Sequence, residues 1–203
     1  MIKDIKKLES SPVKKEVEKR LGEFRLLGMK SNDEWFSELC FCLLTANSKA
    51  ATALAIQEEL GSKGFLSFPK NKIIAVIKKN KHRFHNNKAE FIVGARKYEK
   101  IKNIIKIGED PRAWLVKNVK GLGWKEASHF LRNVGYTKYA ILDRHIINLM
   151  VENGLLDEKP KSLNKNKYLD IEEKFKMIAK KTKMNCAELD LYMWYIKTGK
   201  VLK

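Results

Sequence analysis

The sequence predicts an all-α protein, and three observations support this fold class. Apolar residues recur with helical spacing along most of the 203 residues. No segment shows the strong alternation of apolar and polar residues that is typical of a β-strand. Glycine, proline and asparagine divide the chain into stretches of helical length, so we expect about ten helices.

Breaks between periodic segments place these helices along the chain. A helix-entry signal at Ser31 precedes the most apolar run, residues 35–44, which we expect to be a central core helix. A polar break with Asn47 follows it, and the residues alone favour a helix cap for Asn47. The expected helices cover residues 3–27 (with a break at 10–12), 35–44, 50–60, 70–79, 88–107, 111–117, 124–133, 144–152, 170–181 and 185–197. Loops or connectors are expected at residues 61–69, 82–87, 136–142 and 154–167.

One stretch, residues 118–127, joins two helices through a tight turn. Pro111 suits the first turn of the preceding helix. In the turn, Gly121 and Gly123 can adopt backbone angles closed to other residues and let another backbone approach closely. The amides after them begin the second helix, and such a helix start binds anions such as a DNA phosphate. We therefore expect Lys120, Gly121 and Gly123 to contact DNA.

Two ionisable residues near this turn indicate chemistry. Lys125 falls in the first turn of the second helix, where the helix dipole disfavours an ammonium. A neutral lysine amine is a nucleophile for Schiff-base formation. Asp143 follows 18 residues later and is expected to cap the helix over residues 144–152. A carboxylate held ionised there, if it faces a sugar, also stabilises positive charge developing at C1′.

The charge balance predicts a polyanionic partner. The chain has 42 Lys and Arg residues against 24 Asp and Glu residues, a formal net charge of +18. A charge of this size favours nucleic acid. The alternative is a lysine-rich composition with a solvated surface and no such partner.

The cysteine count and the hydropathy exclude several classes of protein. Three cysteines are too few for an iron–sulfur cluster with four thiolates, and they show no zinc-site spacing. We expect Cys40 and Cys42 to be small buried groups. No apolar run approaches the roughly 20 residues of a membrane span, and the start lacks a signal-peptide core. We expect a cytoplasmic protein with access to the chromosome.

These residues resemble the helix-hairpin-helix DNA glycosylases. Residues 119–127, with Asp143 after them, match the lysine and aspartate of the bifunctional members, which include endonuclease III and the 8-oxoguanine glycosylases. The resemblance can be narrowed to one family of these enzymes. The features that narrow it are the chain length, the sequence around Asn47, residues 86–90 and the ending in Lys203. The whole chain is similar to the archaeal-type 8-oxoguanine DNA glycosylase/AP lyase family.

The resemblance implies a two-lobed helix-hairpin-helix glycosylase fold with the active site in the cleft between the lobes. Residues 1–30 and 143–203 would form one lobe and residues 31–142 the other, with the helix-hairpin-helix at about residues 111–135. The partner would be double-stranded DNA containing 8-oxoguanine, bound by a monomer. No redox cofactor or catalytic metal is implied, although in relatives a structural monovalent cation is held at the hairpin.

The resemblance also assigns the catalytic roles. Lys125 would attack C1′, Asp143 would offset the oxocarbenium charge, and β-elimination would then cut the strand 3′ to the abasic site. Asn47 would enter the duplex where the damaged base has left, so its capping role and this wedge role both stay open.

Candidate residues for the base pocket are aromatic or lie at the chain end. His129, one turn beyond Lys125, and Trp194 are candidates to stack on the flipped base, with core packing as the alternative for each. Phe84 is a candidate pocket residue from a polar loop, where packing is the alternative. The α-carboxylate of Lys203 is a candidate anion facing N7, which carries a hydrogen in 8-oxoguanine and is a bare acceptor in guanine.

Other interpretations remain for the loop histidines and for the whole chain. His82 and His85 have no further metal ligands nearby in sequence, so we expect surface or DNA-facing groups. A non-enzymatic hairpin module would explain the glycines and the charge, but not Lys125 with Asp143. A related glycosylase for another oxidised base is the second alternative.

Overall fold

A computed structural model describes residues 1–107 and 110–203. Within these residues the regular structure consists of twelve α-helices and one short 3-10 turn, with no β-strand. The helices are α1 (Ile2–Glu9), α2 (Val13–Met29), α3 (Asn32–Thr45), α4 (Ala50–Ser67), α5 (Lys70–Lys79), α6 (His85–Ala95), α7 (Ile101–Ile107), α8 (Pro111–Asn118), α9 (Trp124–Asn133), α10 (Arg144–Glu152), α11 (Lys165–Thr182) and α12 (Cys186–Thr198). The all-α prediction is confirmed. None of the described helices has the length and apolarity needed to cross a membrane.

The chain divides into two compact units. One comprises Met1–Leu26 and Leu131–Lys203, and the other comprises Leu27–Phe130. Residues 131–142 thus pack with the terminal segments, whereas the sequence assigned them to the middle lobe. The division into functional lobes stays a prediction.

Helix α3 is the core of the middle unit, as its apolar run predicted. Every residue from Trp35 to Thr45 is buried, and α3 packs against α4, α6 and α7. The Trp35 ring meets Phe130 edge-on with centroids 5.9 Å apart. Its indole N–H donates to the Leu27 carbonyl at 3.1 Å. Cys40 and Cys42 are buried here as expected, and burial raises the pKa of the Cys40 thiol.

The predicted loop over residues 61–69 is wrong, because α4 continues to Ser67. Gly61 has a φ of 59°, which kinks the helix without ending it. The residues after the kink contribute to the core, with Phe65 fully buried. Gly61 therefore acts as a bend within a helix rather than as a terminator.

The predicted single helix over residues 88–107 is also wrong. Helix α6 already begins at His85, and a 3-10 turn at Arg96–Tyr98 separates it from α7. At this break the Arg96 guanidinium donates to the carbonyls of Phe65 and Phe68. These carbonyls lie at the end of α4, where helical partners are missing, so the side chain satisfies them.

The terminal unit contains α1, α2, α10, α11 and α12. Helix α10 begins and ends where the sequence predicted, and residues 136–142 form a connector without regular structure before it. Helix α11 begins earlier than expected, since Asn164 caps it by accepting from the Lys167 amide at 3.0 Å. The predicted loop over residues 154–167 therefore ends at Asn164.

Candidate active site

The hairpin between α8 and α9 has the tight geometry that its glycines predicted. The Leu122 amide donates to the Val119 carbonyl at 3.1 Å, which closes the turn. Gly121 has a φ of 91°, and a Cβ built on it would lie 2.4 Å from the Phe91 ring. Both the backbone angle and the packing against α6 therefore require glycine at this position.

We expect Gly121→Ala to destabilise the hairpin and weaken binding to double-stranded DNA. The left-handed angle alone costs a non-glycine residue about 1–2 kcal/mol, and the contact with Phe91 adds to it. Gly94→Ala is the matched control, because a Cβ there meets nothing within 4 Å. Thermal unfolding and a DNA titration check both variants, and equal behaviour of the two would contradict the prediction.

Side chains on both sides hold the hairpin in place. The Arg112 guanidinium of α8 is 4.9 Å from the Trp124 ring centroid and donates to Ser128 Oγ at 3.2 Å. Lys120 in the turn forms an ion pair of 3.1 Å with Glu90 of α6. These contacts hold the start of α9, where the candidate nucleophile lies.

Lys125 occupies the first turn of α9 and is partly accessible, with 26% of its side chain exposed. Its Nζ lies 3.0 Å from Glu126 Oε1. Glu126 thereby holds the amine at one position and is a candidate to take up its proton. The sequence did not indicate this partner, since adjacent residues on a helix do not normally face each other.

A second lysine lies in the electrostatic field of this pair. Lys88 of α6 is 4% exposed, and its ammonium donates to the Leu43 carbonyl at 2.5 Å. Burial, with a smaller contribution from the charge of Lys125, lowers the pKa of Lys88 to about 8, and Glu126 opposes the shift. The sequence signal was the resemblance of residues 86–90 to the glycosylases, which did not identify Lys88 as a buried amine.

Asp143 caps α10, as predicted. Its Oδ1 accepts from the amides of His145 at 2.8 Å and Ile146 at 2.9 Å. No described residue donates to its second oxygen, Oδ2. The side chain is therefore fixed through one oxygen and presents the other as an available acceptor.

A second carboxylate of the terminal unit interacts with Asp143. Asp190 of α12 is buried and forms an ion pair with the buried Arg132 of α9. Burial, with a smaller contribution from the charge of Asp143, raises the pKa of Asp190 to about 6, and Arg132 opposes the shift. The two carboxylates are therefore coupled electrostatically, and no sequence motif indicates Asp190 as a neighbour of Asp143.

Asn47 is not a helix cap. It is exposed after the end of α3, with a φ of 60°, and the residue that precedes α4 is Lys49. Asparagine tolerates this left-handed angle well, and Asn47 occupies a turn in which the Ser48 amide donates to the Thr45 carbonyl at 3.1 Å. The capping interpretation is therefore wrong, and the wedge role stays a prediction.

His82 is buried, so the prediction of a surface or DNA-facing group is wrong for it. Its ring is 2% exposed. Nδ1 accepts from the Phe84 amide at 3.2 Å, and Nε2 lies 3.0 Å from the Leu44 carbonyl. This arrangement requires a neutral ring with the proton on Nε2. Burial lowers the pKa of His82, helped by the nearby charge of Lys88.

We expect stability to fall as the pH drops below the ordinary histidine pKa of about 6.5. The unfolded chain then binds a proton that folded His82 resists, so the free energy of unfolding decreases by up to about 1.4 kcal/mol per pH unit. Above that pH the contribution is fully present. Denaturant unfolding at several pH values checks this, with His82→Gln and the control His85→Gln. If the free energy of unfolding depends on pH in His82→Gln as it does in the wild type, another group causes the loss of stability.

The candidate pocket residues have different environments. His129 is 8% exposed and packs edge-on against Phe41 at 5.7 Å. Trp194 meets His145 edge-on at 5.0 Å, and its buried indole N–H has no hydrogen-bond partner among the described residues. Phe84 is 37% exposed, and Lys203 is half-buried. Their roles toward a base stay predictions.

The helical fold with this hairpin is typical of helix-hairpin-helix DNA glycosylases, and comparisons with known proteins define the family. A family model described as 8-oxoguanine DNA glycosylase matches residues 17–184. The 8-oxoguanine DNA glycosylase/AP lyase of Methanocaldococcus jannaschii is 48% identical, covering 100% of this chain and 99% of the relative. That of Thermotoga maritima is 42% identical, covering 100% and 99%.

A solved structure agrees with these similarities. The crystal structure of the Methanocaldococcus jannaschii 8-oxoguanine glycosylase/lyase, in complex with a 15mer DNA containing 8-oxoguanine, superposes with a TM-score of 0.97. The match covers 100% of this chain and 99% of that chain. This chain therefore belongs to the 8-oxoguanine DNA glycosylase family.

Proposed function

We propose that this protein excises 8-oxoguanine from double-stranded DNA and then cleaves the strand at the abasic site. The proposal rests on an accessible amine at the start of α9 and on a carboxylate that caps α10 and keeps one oxygen available. Membership of the glycosylase family supports the substrate, since the relatives are named 8-oxoguanine DNA glycosylase/AP lyases.

The reaction begins with the nucleotide outside the duplex, because a stacked base blocks access to C1′. Lys125 Nζ attacks C1′ as the glycosidic bond breaks, and the Asp143 carboxylate offsets the positive charge on the sugar. Glu126 receives a proton from the amine. The base leaves with the electrons of the glycosidic bond and takes up a proton. The sugar ring then opens to a Schiff base, a proton is lost from C2′, and the 3′-phosphate departs as the C3′–O bond breaks. Water finally releases the lysine.

The amine provides the nucleophile, so the chemistry needs no redox cofactor or catalytic metal. A structural monovalent cation at the hairpin is compatible with it. The net charge of +18 supports association with DNA phosphates. We propose a monomer that acts in the cytoplasm on chromosomal DNA.

The side chains proposed to meet the base are aromatic or lie at the chain end. Trp194 supplies an aromatic face and a free indole donor, and Phe84 supplies an exposed ring. His129, which packs edge-on against Phe41, is proposed to support the pocket through packing. Lys203 is the proposed discriminator between 8-oxoguanine and guanine.

Borohydride trapping tests the proposal. The protein is incubated with matched duplexes that contain 8-oxoguanine, an oxidised pyrimidine, an abasic site or no lesion, and covalent adducts are measured. We expect adducts with 8-oxoguanine and with the abasic site, and none with undamaged DNA. Adducts with the oxidised pyrimidine alone would favour another glycosylase, and binding without any adduct would favour a non-enzymatic hairpin module.

A further inference from the structure

The second half of the connector that leads to Asp143, residues 139–142, is buried without forming regular structure. Ala140 is 0% exposed and Leu142 is 1% exposed. Buried amides and carbonyls outside a helix or strand need other partners, because an unpaired one costs free energy. Those partners determine the path of the connector.

Two side chains of α11 supply the partners. The Tyr168 hydroxyl donates to the Ala140 carbonyl at 2.8 Å and accepts from the Leu142 amide at 3.2 Å. Glu172 Oε1 accepts from the Ala140 amide at 2.9 Å. Tyr168 and Glu172 lie one helical turn apart on the same face, and each is 1% exposed. We call this pair the Tyr168–Glu172 clamp.

The clamp acts immediately before the capping aspartate. The Asp143 amide donates to the Ile141 carbonyl at 3.0 Å, inside the clamped connector. On the other side, two amides of α10 bind Asp143 Oδ1. The direction of Oδ2 is therefore set by the clamp before the residue and by the helix start after it.

We infer that Tyr168 and Glu172 are positioning residues for base excision, which hold the connector so that the Asp143 carboxylate faces C1′. The inference rests on the proposed function, in which Asp143 stabilises the sugar cation. The Glu172 carboxylate is itself held, because Lys176 Nζ lies 3.5 Å from its second oxygen, so the clamp is a fixed support for the connector. A misplacement of about 1 Å in a catalytic group slows a reaction by roughly 100-fold.

The test compares Tyr168→Phe with the matched control Tyr192→Phe, a buried tyrosine of the same unit. Three quantities are measured: single-turnover excision of 8-oxoguanine, the dissociation constant for lesion DNA, and borohydride trapping on ready-made abasic sites. For Tyr168→Phe we expect excision to slow by roughly 10- to 100-fold. The dissociation constant for lesion DNA and the trapping on abasic sites should stay within about twofold of the wild-type values, because neither needs a stabilised sugar cation. Tyr192→Phe should match the wild type.

A double-mutant cycle separates positioning from general support. In an Asp143→Asn background, Tyr168→Phe should have little further effect, because the group that it positions is gone. If Tyr168→Phe slows excision by the same factor in the wild-type and the Asp143→Asn backgrounds, the inference is overturned. If Asp143→Asn alone leaves excision intact, the catalytic assignment fails instead, so the two failures are distinguishable.

Glu172 provides a second test that holds even if Tyr168→Phe does not fold. Glu172→Gln keeps a carbonyl oxygen for the Ala140 amide, whereas Glu172→Met removes it. We expect Glu172→Gln to excise 8-oxoguanine near the wild-type rate and Glu172→Met to be slowed at unchanged DNA affinity. Equal excision rates for these two variants would also overturn the inference.

Discussion

Lys125→Gln is expected to abolish borohydride trapping and strand cleavage while DNA binding persists. Glutamine keeps a polar side chain beside Glu126, which lies 3.0 Å from the amine in the native chain. It cannot form a Schiff base, so covalent catalysis ends. Loss of a nucleophile typically slows an enzyme by roughly 10⁴-fold or more. Single-turnover cleavage of 8-oxoguanine duplexes and adduct yield on gels measure the effect.

Lys120→Gln is the matched control for this variant. Lys120 lies in the same hairpin, is 75% exposed and pairs with Glu90, so its removal takes away the same charge. We expect weaker DNA binding with a reduced salt dependence, and normal trapping once the DNA is saturating. A trapped adduct formed by Lys125→Gln would make another amine the nucleophile, and the buried Lys88 would then be the first residue to examine.

The elements nearest the chemistry were predictable because short-range signals determine them. Pro111 begins α8, the Gly121 turn closes the hairpin, and Asp143 caps α10, each within a few residues of sequence. The central position of α3 followed from its unbroken apolar run. Family resemblance then assigned Lys125 and Asp143, whose roles remain predictions.

The errors arose where distant contacts override local preference. Gly61 bends α4 instead of ending it, because the following turns pack into the core. The helix expected over residues 88–107 is interrupted at Arg96, where the guanidinium donates to carbonyls at the end of α4. The polar stretch around His82 predicts a surface residue, yet the His82 ring bonds to the carbonyl of Leu44, which lies 38 residues away in sequence.

The same reason explains what the sequence missed around the site. Lys88 bonds to a carbonyl 45 residues before it, and Tyr168 reaches a connector 26 and 28 residues before it. Tyr168 belongs to no recognisable motif, and the resemblance of residues 86–90 does not identify Lys88 as a buried amine. Sequence patterns identify groups that could react, whereas the groups that orient them depend on tertiary packing.

Asp143→Asn is expected to slow excision of 8-oxoguanine by roughly 10²- to 10³-fold, the usual effect of losing a group aimed at developing charge. The fold should survive, because both capping bonds go to Oδ1 and an asparagine carbonyl oxygen accepts them equally well. What changes is Oδ2, which becomes an uncharged amide donor facing a cationic sugar. Single-turnover excision kinetics and thermal unfolding measure the two effects separately.

Asp110→Asn is the control for capping, since Asp110 caps α8 in the same way by accepting from the amides of Arg112 and Ala113. It should leave both stability and excision nearly unchanged. Asp143→Ala should add a loss of about 1 kcal/mol of stability to the slow excision, because the cap disappears with the charge. Near-normal excision by Asp143→Asn would restrict Asp143 to capping α10, and the carboxylate that stabilises the sugar would have to be sought elsewhere, with Glu126 beside the nucleophile as the next candidate.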